Sequence, residues 1–308
     1  MQLDRTRIAI RERGLLETLD LALHVSREFA GPLMICALLG VAPLMLINYA
    51  LVGWMVPREM DSDFFPGRFI WNMAVLIYLE APLASVFVVA YLGPAVFLEQ
   101  KTIRQVAGDV LHYMPQLLLC QGLLRGVLVV WLIDLFLDRL EGNGWTEGFL
   151  MIVLLLWSTG LRAFRPYINE IILLEKNPVF TRQANAITIG KRSSHLHGPY
   201  SGDLLVRWFG TAAIALLLVS LALTTAIMLQ GVLISDWPIA WTLEPPEMSS
   251  NLDWFKLEIV YPVCLWLVVM FLAVVRFLSY LDLRIKHEGW EVELLMRAEA
   301  LRLAARME

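Results

Sequence analysis

Residues 270–294, MFLAVVRFLSYLDLRIKHEGWEVEL, decide how the chain is read, because an apolar helix runs without a break into a charged one. Nothing before Arg276 in this stretch is charged, whereas Asp282, Arg284, Lys286, Glu288 and Glu291 follow with both signs, as on a solvated helix. Arg276 therefore marks a membrane boundary. Upstream, 259–275 is uncharged and forms the centre of a span, since a core of about 30 Å is crossed at about 1.5 Å per residue. Downstream, Gly289 offers a break, after which Trp290, Leu294 and Leu301 can face lipid or a partner, while Glu293 and Arg297 pair at i, i+4. Asp282, Arg284, Glu288, Trp290 and Glu293 together form a candidate docking surface for a membrane or cytoplasmic protein partner. The plainer reading of the same residues is a helix extension.

The rest of the chain repeats the apolar theme. Hydrophobic residues make up 58% of the 308 positions and charged residues 18%, and the mean hydropathy is +0.63, well outside the range of a soluble domain. Residues 1–30 place Leu15, Leu16, Leu19, Ala22 and Leu23 at helical spacing and predict an amphipathic helix at the membrane surface, ended by Gly31-Pro32. The first span is 33–56. The second, 69–98, is apolar apart from Glu80 and carries Pro82 and Pro94 as expected kinks. The third, 117–137, has Arg125 in its middle and Asp134 near its far end. The fourth starts near Trp145 and is expected to run past Arg165-Pro166 into a segment with Glu170 and Glu175 that leaves the membrane. The fifth is 208–233. The expected fold is thus an all-α polytopic transmembrane bundle of about six spans. It divides into an interfacial helix (1–30), a six-span domain (31–281) and a charged C-terminal helix (282–308).

Orientation follows from basic residues. With both termini cytoplasmic, 20 of the 25 Lys and Arg lie on the inner side, four lie outside (Arg58, Arg68, Arg139, Lys256), and Arg125 is intramembrane. The positive-inside rule selects this arrangement, and Trp54, Trp71, Trp145, Trp237, Trp241 and Trp254 fall near the outer boundary as an aromatic belt. No signal peptide with a small-residue cleavage site is expected at the start. The net charge of -4 gives no reason to expect nucleic acid. Cys36, Cys120 and Cys264 each sit in an apolar run and read as buried thiols, with neither a disulfide framework nor a metal site.

Glu80 and Arg125 are the most informative polar groups. Counted from Phe69 and Leu117, they lie about 16 Å and about 12 Å deep, both near the midplane. A lone charge there costs at least ~2.5 kcal/mol, so an ion pair between neighbouring spans is expected, either as a structural lock or as part of a pathway. Asp134 reads as an outer-interface residue. Arg162, Arg165 and Arg207 read as inner-interface anchors, or more sharply as a pocket for lipid phosphate. His195 and His197 fall in a polar loop at a spacing that does not share a helix face, a weak metal signal, and His112 and His287 stand alone. Catalytic signatures are missing from the sequence: there is no Gly-x-Ser-x-Gly elbow, no phosphate-binding loop ending in Lys-Ser or Lys-Thr, and no His-Glu-x-x-His. Ser158-Thr159-Gly160 has no base at matching depth and reads as small-residue helix packing.

Four stretches carry a resemblance: IAIRERGLLETLDLALHV (8–25), RPYINEIILLEKNP (165–178), SGDLLVRW (201–208) and YLDLRIKHEGWEVELLMRAEA (280–300). Together the chain resembles a broad group of uncharacterised bacterial polytopic inner-membrane proteins. Its tail is similar to the membrane domain that accompanies some glycerophosphodiester phosphodiesterases. The resemblance implies a multi-helix inner-membrane module and not phosphodiesterase activity, which in those enzymes belongs to a separate soluble barrel with metal-binding acidic residues. The resulting expectation is a non-enzymatic scaffold or accessory subunit of a membrane complex, without cofactor or metal, in contact with membrane lipids. The alternative is a transporter or lipid-handling protein that uses Glu80, Arg125 and the inner arginines.

Overall fold

The structure, a computed structural model, describes residues 12–60, 67–97, 99, 101–137, 144–179, 187–234 and 256–289. Among them the chain is an all-α polytopic bundle, with five helices long and apolar enough to cross a membrane, or six if one bent pair is a single span. The first helix, α1 (Leu15–Glu28), buries Thr18, Ala22 and Val25 on one stripe and leaves Leu16 and Leu23 exposed. It turns at Phe29 directly into α2 (Ala30–Val52). The break therefore precedes the expected Gly31-Pro32, because proline is accommodated in the first turn of a helix.

Helices α3 (Met55–Met60), α4 (Gly67–Ala84) and α5 (Val86–Val96) follow. The last two form one long span broken at Ser85, and 72% of its apolar window is buried, which makes it the centre of the bundle. Pro82 lacks an N–H and cannot continue the ladder. Its carbonyl instead accepts from Ser85 Oγ at 2.9 Å and from Asn169 Nδ2 at 2.6 Å. Opposite the break, α2 comes so close that a Cβ on Gly40 would lie 2.0 Å from the Ala84 carbonyl oxygen.

The expected third span is not a straight helix. Helix α6 (Ile103–Leu117) starts at a capping box between Thr102 and Gln105 and continues as a π-helical turn, Leu118–Leu123. Gly126 then adopts φ +83°, and α7 (Val127–Leu137) leaves at a bend of 62°. Arg125 sits in that break.

Helix α8 (Gly144–Phe164) ends before Arg165-Pro166. Helix α9 (Ile168–Leu173) is a separate short helix folded into the bundle, where a continuation of α8 was expected. All six of its residues are buried, Glu170 included, because Arg276 meets that carboxylate inside the fold. His195 and His197 lie on a helix, α10 (Ile189–His197), and not in a loop. Helix α11 (Ser201–Ile234) lies at the periphery, with none of its apolar window buried. A π-helical turn, Lys256–Val260, leads into α12 (Tyr261–Glu288), which runs unbroken through Arg276 and ends at Gly289 with φ +64°. Helix α12 packs against α1, α4, α5 and α11.

The apolar core divides into two clusters. One gathers Val86, Leu92, Leu117, Ile171 and Phe277; the other gathers Met55, Leu76, Leu79, Val127 and Met151. The division falls where α4–α5 and α6–α7 are broken, and the polar groups collect in that layer.

Candidate functional site

Glu80 and Arg125 are not joined in the expected ion pair. Glu80 is fully buried and accepts from Asn48 Nδ2 at 2.8 Å and from the Trp131 indole N–H at 2.5 Å. Arg125 points to the other side of the break, where its Nη2 donates to the Arg165 carbonyl at 2.5 Å. Two neutral donors serve the acid, and one carbonyl freed by the end of α8 serves the base. Both groups lie in the polar layer at the depth expected, with neutral partners, Asn48 and Trp131, that carry no charge signal in the sequence.

Arg125 opens onto a cavity of about 320 Å³ between α4, α11 and α12, whose wall is mostly apolar and includes Ile77, Trp208, Val268 and Leu272. Four guanidinium groups reach it: Arg125, Arg162, Arg207 and Arg276. Two of these have carboxylates. Arg276 binds Glu170 at 2.9 Å and Arg207 binds Asp282 at 2.5 Å. The other two have only neutral partners. Arg162 donates to the Leu79 carbonyl at 2.8 Å, in the same broken stretch of α4, and stacks over Tyr78 at 4.1 Å. The Nε atoms of Arg125 and Arg162 are both buried without an acceptor. Arginine presents five N–H donors in a planar fork, so a side chain given one carbonyl has most of its donors unused. The cavity is apolar with an uncompensated positive floor.

Of the three arginines expected at the inner interface, Arg162 and Arg207 line this cavity, whereas Arg165 is exposed and contributes its backbone carbonyl. The fourth, Arg276, is the boundary arginine of the last span and lines the cavity as well. Its role depends on contacts with Glu170 and with Ser85 Oγ at 2.8 Å, residues far away in sequence.

The docking surface expected at the end of α12 is largely turned inward. Asp282 is 3% exposed and accepts from Arg207 and, at 2.7 Å, from the Arg13 backbone N–H. Glu288 accepts from Arg284 at 2.7 Å and from Arg192 at 2.5 Å, and Arg192 also binds Glu175 at 2.5 Å. These groups clamp α10 and the segment after α9 onto α12. Trp290 and Glu293 lie outside the described residues. The histidines separate, as their spacing implied: His197 is buried against Ser193 Oγ at 3.0 Å, and His195 meets His287 at 3.1 Å.

At the opposite end, Asp134 is enclosed by the fold and does not reach out as a surface anchor. It is 1% exposed, because α7 turns it toward α4 and α8. Nearby, Glu147 accepts from Arg68 at 2.7 Å and from Asn72 at 2.5 Å. Glu147 stands at the start of an otherwise apolar run, which hides it in the sequence. An acid one turn into α8 was the available signal. Thr159 bonds Tyr78 at 2.9 Å, while the neighbouring Gly160 approaches nothing. Among the described residues no group of three or more His, Cys, Asp or Glu could hold a metal ion.

The fold defines a multi-pass helical membrane protein. Comparison with protein-family models, with curated proteins and with solved structures finds no match to the chain.

Proposed function

We propose that the protein is a non-enzymatic lipid-handling or transport protein of the bacterial inner membrane, with both termini cytoplasmic, that takes an anionic lipid into the arginine-lined cavity. The observation that carries this reading is the imbalance of charge there: four guanidiniums, two carboxylates, and an otherwise apolar wall. A buried arginine at membrane depth costs at least ~2.5 kcal/mol without compensation. A phosphate supplies the missing acceptors as paired charge-assisted hydrogen bonds, and the apolar wall suits acyl chain. With the basic residues inside, the cavity faces the inner leaflet.

The scaffold reading loses its described contact residues, since Asp282, Arg284 and Glu288 bind within the chain. Native mass spectrometry of the full chain, released from mild detergent, tests the lipid reading. Phosphatidic acid or phosphatidylglycerol is expected to remain bound in preference to phosphatidylcholine, and binding is expected to fall at least tenfold in Arg162→Met. Equal retention of zwitterionic and anionic lipid by both proteins contradicts it. Because Arg162 is only partly buried and stacks on Tyr78, Arg162→Gln gives a second variant that keeps a polar group there.

A further inference from the structure

We propose that Asp134 is a proton-binding site within the membrane domain, with Glu80 as the next carboxyl on the proton's route. This site lies apart from the cationic cavity, on the other side of the α6–α7 break, and does not depend on the lipid reading.

Five carboxylates are buried among the described residues: Glu80, Asp134, Glu147, Glu170 and Asp282. Four have donors. Glu80 has Asn48 and Trp131, Glu147 has Arg68 and Asn72, Glu170 has Arg276, and Asp282 has Arg207 and the Arg13 N–H. Asp134 has none: both of its oxygens are buried and without a hydrogen-bond partner. An ionised carboxylate accepts only, at about four lone-pair sites, and leaving them all empty in a low dielectric is costly. One proton removes the charge, adds a donor and needs no other group.

The surroundings favour a proton over a metal cation. Helix α7 packs against α2, α4, α8 and the π-helical turn before it. From α8 the charged group acting on Asp134 is Glu147, and from α4 it is Arg68, which is already bonded to Glu147. From the same α4, Glu80 lies within electrostatic reach of Asp134. Helix α2 contributes Asn48 and Tyr49 and no charged side chain, and the π-helical turn carries none. A hard cation asks for several oxygen ligands, whereas Asp134 brings two oxygens and its acidic neighbour Glu147 is held by other donors.

Route and position agree. Trp131, whose indole N–H binds Glu80, is one helical turn before Asp134 on α7, so the two residues share a face of the helix. Asp134 is on the Glu147 side of the polar layer and Glu80 is within it. A proton received at Asp134 therefore has its next acceptor at the level of the helix break, where Asn48 and Trp131 already orient the carboxyl.

Dicyclohexylcarbodiimide tests this, since it adds to protonated, membrane-buried carboxyls and leaves carboxylates unmodified. The full-length protein in phosphatidylcholine vesicles is treated across a pH series and the adduct is mapped by peptide mass spectrometry. The expected result is an adduct at Asp134 that disappears as the medium becomes alkaline and is absent in Asp134→Asn. That variant mimics the protonated form in shape and charge, and is expected to unfold at the same temperature as the wild type. Wild-type labelling alone decides the matter if the variant fails to fold. No adduct at any pH, an adduct confined to Glu80 or Glu147, or protection of Asp134 by sodium at fixed pH overturns the proposal.

Discussion

Arg125 has five N–H donors and, among the described residues, a single carbonyl acceptor from Arg165. Its geometry is what distinguishes it from a generic positive charge, because a rigid planar fork meets two phosphate oxygens with parallel hydrogen bonds, whereas an ammonium acts as a point charge. Arg125→Lys is therefore expected to weaken phosphate-lipid binding by roughly tenfold, about 1.4 kcal/mol on the scale of one charge-assisted hydrogen bond, read by lipid titration with native mass spectrometry. Arg276 differs in kind, since its partner Glu170 is fully buried and its own side chain is one-fifth exposed. Removing it leaves an uncompensated carboxylate, and Arg276→Met is expected to cost about 3 to 5 kcal/mol. Thermal unfolding in detergent checks this, with the pairing of Arg276→Met and Glu170→Gln expected to recover much of the loss.

At the scale of helices, the breaks matter more than the spans. Gly126 stands at φ +83° with Leu154 Cδ2 3.0 Å from where a Cβ would be. Gly126→Ala is expected to destabilise by about 1 to 2 kcal/mol through the left-handed backbone and to move Arg125 out of reach of the Arg165 carbonyl. Gly40→Val is expected to be more severe, since the obstacle is backbone, the Ala84 carbonyl, and not a flexible side chain. Circular dichroism melts of the two variants order these effects. The spans themselves were legible because an uncharged run of about 20 residues has one physical reading in a bilayer. The break in α4–α5 was signalled by Pro82, though its place at Ser85 depends on Asn169 reaching across from α9. The bend after Leu123 had a local sign in Gly126, which sits at φ +83°, but a lone glycine inside an apolar run does not by itself announce a 62° turn. The burial of α9 had none: it follows from the contact of Glu170 with Arg276, residues distant in sequence, that hydropathy cannot register.

The whole molecule is a central broken helix, α4–α5, surrounded by α2, α7, α8, α9 and α12, with α11 held on the outside against α8 and α12. Since α11 forms one wall of the cavity and none of its apolar window is buried, ligand access is expected laterally, between α11 and α4. Cross-linking a cysteine pair placed across that seam is expected to slow lipid exchange without changing the amount bound at equilibrium, as followed with fluorescent phosphatidic acid. Arg125 lies two residues before an 11-residue helix, about 16 Å long at 1.5 Å per residue, so on the lipid-handling reading proposed above the cavity floor is expected near half the thickness of an approximately 30 Å core. That depth has an electrical meaning. An anion that reaches the floor from the arginine-rich face crosses about half of the transmembrane field, worth about 1.2 kcal/mol per charge for each 100 mV. Occupancy in proteoliposomes is accordingly expected to shift about sevenfold per charge when a potential of that size is imposed, which makes the membrane voltage itself a determinant of whether the site is filled.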